Sequence, residues 1–133
     1  MNYDPRYLKG IELFNAREFF DAHETWEELW HEEHGEAKDF IQGLIQAATA
    51  LHHFETGNLK GAKILYESFL ELMASYPDCY LGLDKGKFVG QMAACFGGLV
   101  PYATSALPGR YTPGKEDFPV KLDESGIPKM KLI

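Results

Sequence analysis

Apolar residues return at helical spacing along most of the first hundred positions. Tyr7, Leu8, Ile11 and Phe14 share one side of a segment opened by Asp4-Pro5, a capping residue followed by proline at the first helical position. The pattern predicts a helix from Pro5 to about Phe14, broken at Asn15. A second helix is predicted from about Glu18 to Glu33, with Gly35 to end it. A third runs from about Glu36 to Glu55, followed by the turn Thr56-Gly57-Asn58, which offers a C-cap glycine and an N-cap asparagine. The fourth, from about Leu59 to Ser75, carries Ala62, Leu65, Tyr66, Phe69, Leu72 and Met73 at the helical period, and Pro77-Asp78 stops it.

A fifth helix is expected over about Asp84 to Ala103, with Pro101 kinking or ending it. Gly90, Ala94 and Gly98 form a stripe of small residues on it, which predicts close approach of another helix. From Leu107 onward Pro108, Gly109, Pro113, Gly114, Pro119, Gly126 and Pro128 predict an irregular tail. Within that tail FPVKLD and IPKMKLI are candidates for short extended pieces against the bundle. Short loops between the first four helices make neighbours antiparallel. The expected architecture is all-α: a five-helix bundle of antiparallel helical hairpins, one domain over 1–133, with its helical core at about 4–105 and the tail at about 106–133. Stacked hairpins resemble tetratricopeptide architecture, but no clean repeat of that length is present.

Composition agrees with a packed fold. The chain has 133 residues, 45% hydrophobic and 14% aromatic, enough to bury a core and to exclude disorder. Cys79 and Cys95 form no metal or disulfide pattern, and residues 1–20 lack the apolar core of a signal peptide, so a cytosolic location is expected. Residues 88–107 form the longest uncharged run, but Gln91, Pro101, Tyr102, Thr104 and Ser105 favour a buried helix over a membrane span. Net charge is −7; residues 18–39 alone net −8, leaving +1 for the remainder. An acidic chain without a basic cluster is a poor nucleic-acid ligand. Most of the acidic run reads as a solvated helix face.

The chemistry concentrates in FFDAHETWEELWHEEH, residues 19–34. At roughly 100° per residue, Phe19, Ala22, Trp26, Leu29 and Trp30 fall on one arc, with His23 inside it and Glu27 at its edge. Glu24, Glu28, Asp21 and Glu32 face away. On the third helix Gln42, Gln46, Thr49 and His53 make one narrow polar stripe on an otherwise apolar surface, while His52 is turned away from it. Antiparallel pairing would bring the two sets together as a buried polar seam. Buried polar groups need partners, and His23 and Glu27 are the natural ones.

Two readings of that seam stay open. In one it is a hydrogen-bonded network that sets helix register. In the other it lines a pocket for a small polar ligand or a metal. His23 and Glu27 at i, i+4 can share an ion, with His53 as the best third ligand, but HETWE stops short of the zincin pattern because Glu27 replaces the second histidine. Trp26 and Trp30 read as core. No nucleophile sits in a recognisable elbow.

The segments FNAREFFDAHETWEELW and DFIQGLIQAATALHHFETGNLKGA together resemble the bacterial and archaeal family called domain of unknown function 309, over residues 12 to about 73. The resemblance implies an all-helical bundle and a small cytosolic protein. It also implies that His23, Glu24, Glu27, Trp30, Gln42, Gly43, Gln46 and the Gly57-Asn58 turn occupy signature positions. It supplies no established activity.

The expected function is a non-enzymatic binding or scaffold module. Its candidate site is His23, Glu24, Glu27, Trp30, Gln42, Gln46, Thr49 and His53, and no cofactor is required. The partner would be a protein or a small polar ligand, without nucleic acid or membrane, and homo-oligomers are open. The alternative is a metal-assisted or acid–base enzyme, or a small-ligand sensor, with a divalent ion on His23, Glu27 and His53.

Overall fold

The computed structural model describes residues 3–97, 128–130 and 132, and it is mostly helical. Helix α1 spans Pro5–Asn15, α2 Phe19–Glu32, α3 Glu36–Glu55 and α4 Leu59–Met73. The predicted caps operate. The Asp4 carboxylate accepts from the Arg6 amide at 2.8 Å, and the Asn58 side chain accepts from Gly61 N at 2.9 Å. Each of the four helices packs chiefly on its neighbours in the chain. At the α1–α2 crossing a Cβ on Gly10 would sit 2.0 Å from the Trp26 indole nitrogen, so only glycine admits that ring. The ring is fully buried, and its N–H donates to Tyr7 O at 3.2 Å.

After α4 the chain forms a hairpin that the sequence reading did not include. Strand β1 (Cys79–Tyr80) pairs antiparallel with β2 (Leu83–Asp84), with Cys79 opposite Asp84 and Tyr80 opposite Leu83. The two connecting residues, Leu81 and Gly82, have φ of 49° and 72°. Both central residues of a tight hairpin turn of this kind need positive φ, a position that favours Asn-Gly. Leucine in the first of them hides the signal.

Helix α5 spans Lys85–Gly97 and buries Lys85, Phe88, Met92 and Phe96. Phe88 meets Phe14 of α1 and Phe69 of α4 edge-on, at 5.5 and 5.6 Å between ring centres. This single ring therefore joins three helices. The buried Lys85 ammonium donates to Met73 O (3.1 Å) and Tyr76 O (2.6 Å). It neutralises the carbonyl end of α4, where a cation is favoured.

The described members of the small-residue stripe do not mediate the packing of α5. Gly90 and Ala94 are exposed, and a Cβ at Gly90 would meet nothing within 4 Å. The packed face is instead 88, 92 and 96, whose larger side chains exclude more water. Gly98, Pro101 and FPVKLD lie outside the described residues. IPKMKLI does lie against the bundle in part: Met130 is buried, and Leu132 forms an antiparallel bridge with Leu83. No helix among the described residues is long and apolar enough to cross a membrane.

Candidate functional site

The α2–α3 hairpin positions the candidate residues. Two contacts fix its antiparallel register. The Lys38 ammonium lies 4.2 Å from the Trp30 ring centre, and at the other end the Phe20 and His52 rings are 5.5 Å apart. By that register Gln46 falls opposite the turn between His23 and Glu27, and Gln42 opposite the turn before Trp30. That register sets the two stripes at matching heights along the hairpin.

Within it, polar groups are satisfied helix by helix. His23 Nε2 lies 3.0 Å from Glu27 Oε2 on the same helix, while its Nδ1 faces Phe20 O at 3.3 Å. The His23 side chain is 24% exposed and that of Glu27 47%, so the pair sits at the seam's rim. The Thr49 hydroxyl donates to Ile45 O one turn back, at 2.9 Å. Asn58 Nδ2 donates to His53 Nδ1 at 3.3 Å, so that imidazole is spent on the residue that caps α4. Burial, and then the neighbouring His52, hold the His53 pKa below the ordinary histidine value.

The expected cross-helix network is therefore replaced by local bonds. Among the described residues two buried polar atoms remain without a partner: the Trp30 indole nitrogen and the Gln46 carbonyl oxygen. One is a donor and one an acceptor. Both belong to the seam, and they are separated widely enough that they do not bond each other. Gln42 is half-buried and Glu24 is exposed. Trp30, read as core, is half-buried and lies between Lys38 and His31.

His53 does not join His23 and Glu27. Among the described residues no three His, Cys, Asp or Glu side chains gather as a metal-holding group. The direct reason is that His53 turns to the α3–α4 corner. The histidine that meets α2 is His52, through Phe20, which is 50% exposed and also lies 5.5 Å from His23. Sequence reasoning missed Phe20, Lys38 and His52. A signal existed for the first: Phe20, His23, Glu27 and Trp30 follow one another at three- and four-residue steps, a single stripe on α2.

Comparison with known proteins falls on the same part of the chain. Residues 7–65, from α1 into α4, match the family model described as domain of unknown function DUF309. The chain is 40% identical over 76 residues to an uncharacterized protein of Aquifex aeolicus (strain VF5), covering 56% of this chain and 22% of that one. It is 32% identical over 98 residues to the uncharacterized protein YpuF of Bacillus subtilis (strain 168), covering 71% of this chain and 56% of that one. The chain thus spans about a fifth and about half of the lengths of these relatives. The helical hairpins that build the seam are those of the matched segment, and over residues 7–65 the chain is similar to the DUF309 family.

Proposed function

We propose that the protein is a non-enzymatic binding module whose partner contacts the α2–α3 seam. The observation that carries this reading is the pair of unspent polar atoms, the Trp30 indole N–H and the Gln46 carbonyl. A buried polar group without a partner costs about 1–3 kcal/mol. A seam built only to fix register would spend both. A partner presenting one acceptor and one donor would satisfy both as it binds. The half-exposed Phe20, with His23 and His52 against it, supplies apolar contact on the same hairpin. A cytosolic setting goes with this reading, and both cysteines are free thiols.

Gln46→Met tests it, since methionine keeps the length of the side chain and removes the unpaired carbonyl. Chemical denaturation should show unchanged or higher stability, because nothing in the free protein uses that oxygen. A loss of about 2 kcal/mol or more would mean that the amide holds the hairpins together, and the binding reading would fall. His23→Ala and Glu27→Ala should likewise leave the melting temperature nearly unchanged, since half-exposed i, i+4 pairs contribute about 0.3–0.5 kcal/mol.

The acid–base alternative draws on the 3.0 Å contact between His23 and Glu27. Its metal-assisted form needs a third ligand besides those two. A stoichiometric divalent ion in the purified protein by elemental analysis would displace the binding reading.

A further inference from the structure

Helix α3 is the floor of a shallow groove walled by α2 and α4. Among the described residues α3 packs chiefly on those two helices. From Phe40 to Phe54 it carries no Asp, Glu, Lys or Arg, and no residue in that stretch is exposed. Its side away from the core presents Gln42, Ile45, Gln46, Thr49 and His52, all half-buried. They recur at helical spacing and so make one stripe along the floor. A face given over to water ordinarily carries charge. This one is recessed and uncharged, and it holds the unpaired Gln46 carbonyl.

Each wall carries an apolar lip, and the two lips stand at one height. On α2 the lip is Phe20, whose ring lies 5.5 Å from that of His52. On α4 it is Ile64, which is 56% exposed. A Cβ on Gly43 would lie 3.5 Å from Leu72 Cβ, which fixes the register of α4 on α3. Counting antiparallel from that contact sets Ile64 level with Leu51, next to His52. With Leu8 on α1, Phe20 and Ile64 are the exposed large hydrophobic residues among those described. Outside the Phe20 lip the solvent face of α2 is acidic. Asp21, Glu24 and Glu28 are exposed on one stripe, and Glu24 lies one turn after Phe20. Glu32 takes Arg6 and Glu27 takes His23, whereas among the described residues no cation pairs with those three carboxylates.

We propose that the groove takes a basic amphipathic helix of a partner protein, with its apolar face between Phe20 and Ile64 and its Lys or Arg side chains over Asp21, Glu24 and Glu28. This partner class rests on the binding reading of the seam. An amphipathic helix laid in a groove between helices is held by apolar anchors at three- and four-residue steps. From Gln42 to His52 the floor is about 15 Å long, about three turns of such a helix. A helix spends its backbone groups on itself. The acceptor for the Trp30 N–H and the donor for the Gln46 carbonyl therefore come from its side chains. The uncompensated carboxylates attract a cationic helix and repel an anionic one, which sets the sign of the partner.

A library of stapled helical peptides of about twelve residues tests it on the full-length protein. Apolar residues occupy the first, fourth, fifth and eighth positions, and the rest are random. Selected binders should carry Lys or Arg along one flank and bind saturably by fluorescence anisotropy. Each should lose at least tenfold in affinity to Ile64→Glu and to the double variant Glu24→Lys, Glu28→Lys. Leu8→Ser, on α1, should leave affinity unchanged. All four positions are exposed, so these variants keep the fold, which circular dichroism checks. Scrambling a binder at constant composition should also cost at least tenfold; equal binding would mean attraction by charge alone and overturns the proposal. So do binders without a basic flank, binders indifferent to either variant, and a library that yields no saturable binder. Failure here is distinct from failure of the seam reading. Neutral or acidic binders that weaken with Phe20→Ala would keep the seam and discard the basic helix, and the stability of Gln46→Met judges the seam without any peptide.

Discussion

Two side-chain amides in this molecule have opposite fates. Asn15 bonds the backbone of Met130 through both of its polar atoms, across 115 positions of sequence. Gln46, on the long α3 helix, keeps a buried carbonyl oxygen with no partner. Around the first, α1, α4 and α5 meet through Phe14, Phe69 and Phe88, a dry aromatic junction. The second shares its helical hairpin with the half-buried His23, Glu27 and Trp30. The difference separates cohesion from availability. A polar group that holds a fold together is spent within it. One left unspent at a cost of about 1–3 kcal/mol is available to something else.

The largest expected effect belongs to the dry junction. Phe88→Ala removes a ring that is 1% exposed and touches two other helices, and it should cost about 3–5 kcal/mol in urea unfolding. Phe20→Ala is the matching deletion at the seam, where the ring is 50% exposed, and it should cost below about 0.5 kcal/mol. Equal losses for the two would show that the seam carries the fold as the junction does, and the contrast would collapse.

Gly10→Ala comes next. The new methyl would overlap three atoms of the Trp26 indole, at 2.0 to 2.4 Å, and the ring is fully buried and hydrogen-bonded. Overpacking of this kind costs about 1–3 kcal/mol. Gly43→Ala is an instructive companion. Its methyl would meet the terminal methyl of Met73 at 2.2 Å, and a flexible thioether chain can move aside. Thermal melts should therefore rank Gly10→Ala well below Gly43→Ala in stability.

Much of this was legible beforehand. The bounds of α3, the Asp4 and Asn58 caps and the buried arc of Phe19, Ala22, Trp26 and Leu29 follow from local pattern, because caps and helical period act within a few residues. Three features escaped. The hairpin at 79–84 turns through Leu81, a residue type that does not announce positive φ. The packed face of α5 was present as Phe88, Met92 and Phe96 at four-residue steps, yet the small-residue stripe beside it drew the reading away. The bond between Asn15 and Met130 has no local signature, since nothing near either residue specifies the other. At the seam the stripes were legible, but not the partners. The period of a helix tells which side chains share a face; it does not tell that His53 will turn to Asn58 rather than to Glu27.

Asn15→Ala and Gln46→Met sharpen the comparison directly. Asn15→Ala strips the Met130 backbone of both its partners and should cost about 1–3 kcal/mol. Gln46→Met should cost nothing in the same urea series. A reversed order would mean that the Gln46 oxygen is satisfied in solution and that the Asn15 grip is idle.

The smallest effect is a slope. His53 lies where the seam meets the α3–α4 corner, and its pKa is held below the ordinary value of 6.5 by burial first and by His52 second. The unfolded chain therefore takes up the proton at higher pH than the folded one. Stability from this group is complete above the unfolded pKa and declines as pH falls from there through the lower folded value. Protonation would also remove the acceptor that Asn58 Nδ2 now uses, next to the bond by which Asn58 caps α4. His53→Gln should flatten the fall of the urea midpoint between about pH 7 and pH 5, while leaving the neutral-pH midpoint close to wild type. Identical pH profiles for the two proteins would place the imidazole in full contact with water, and this end of the seam would then be open rather than half-buried.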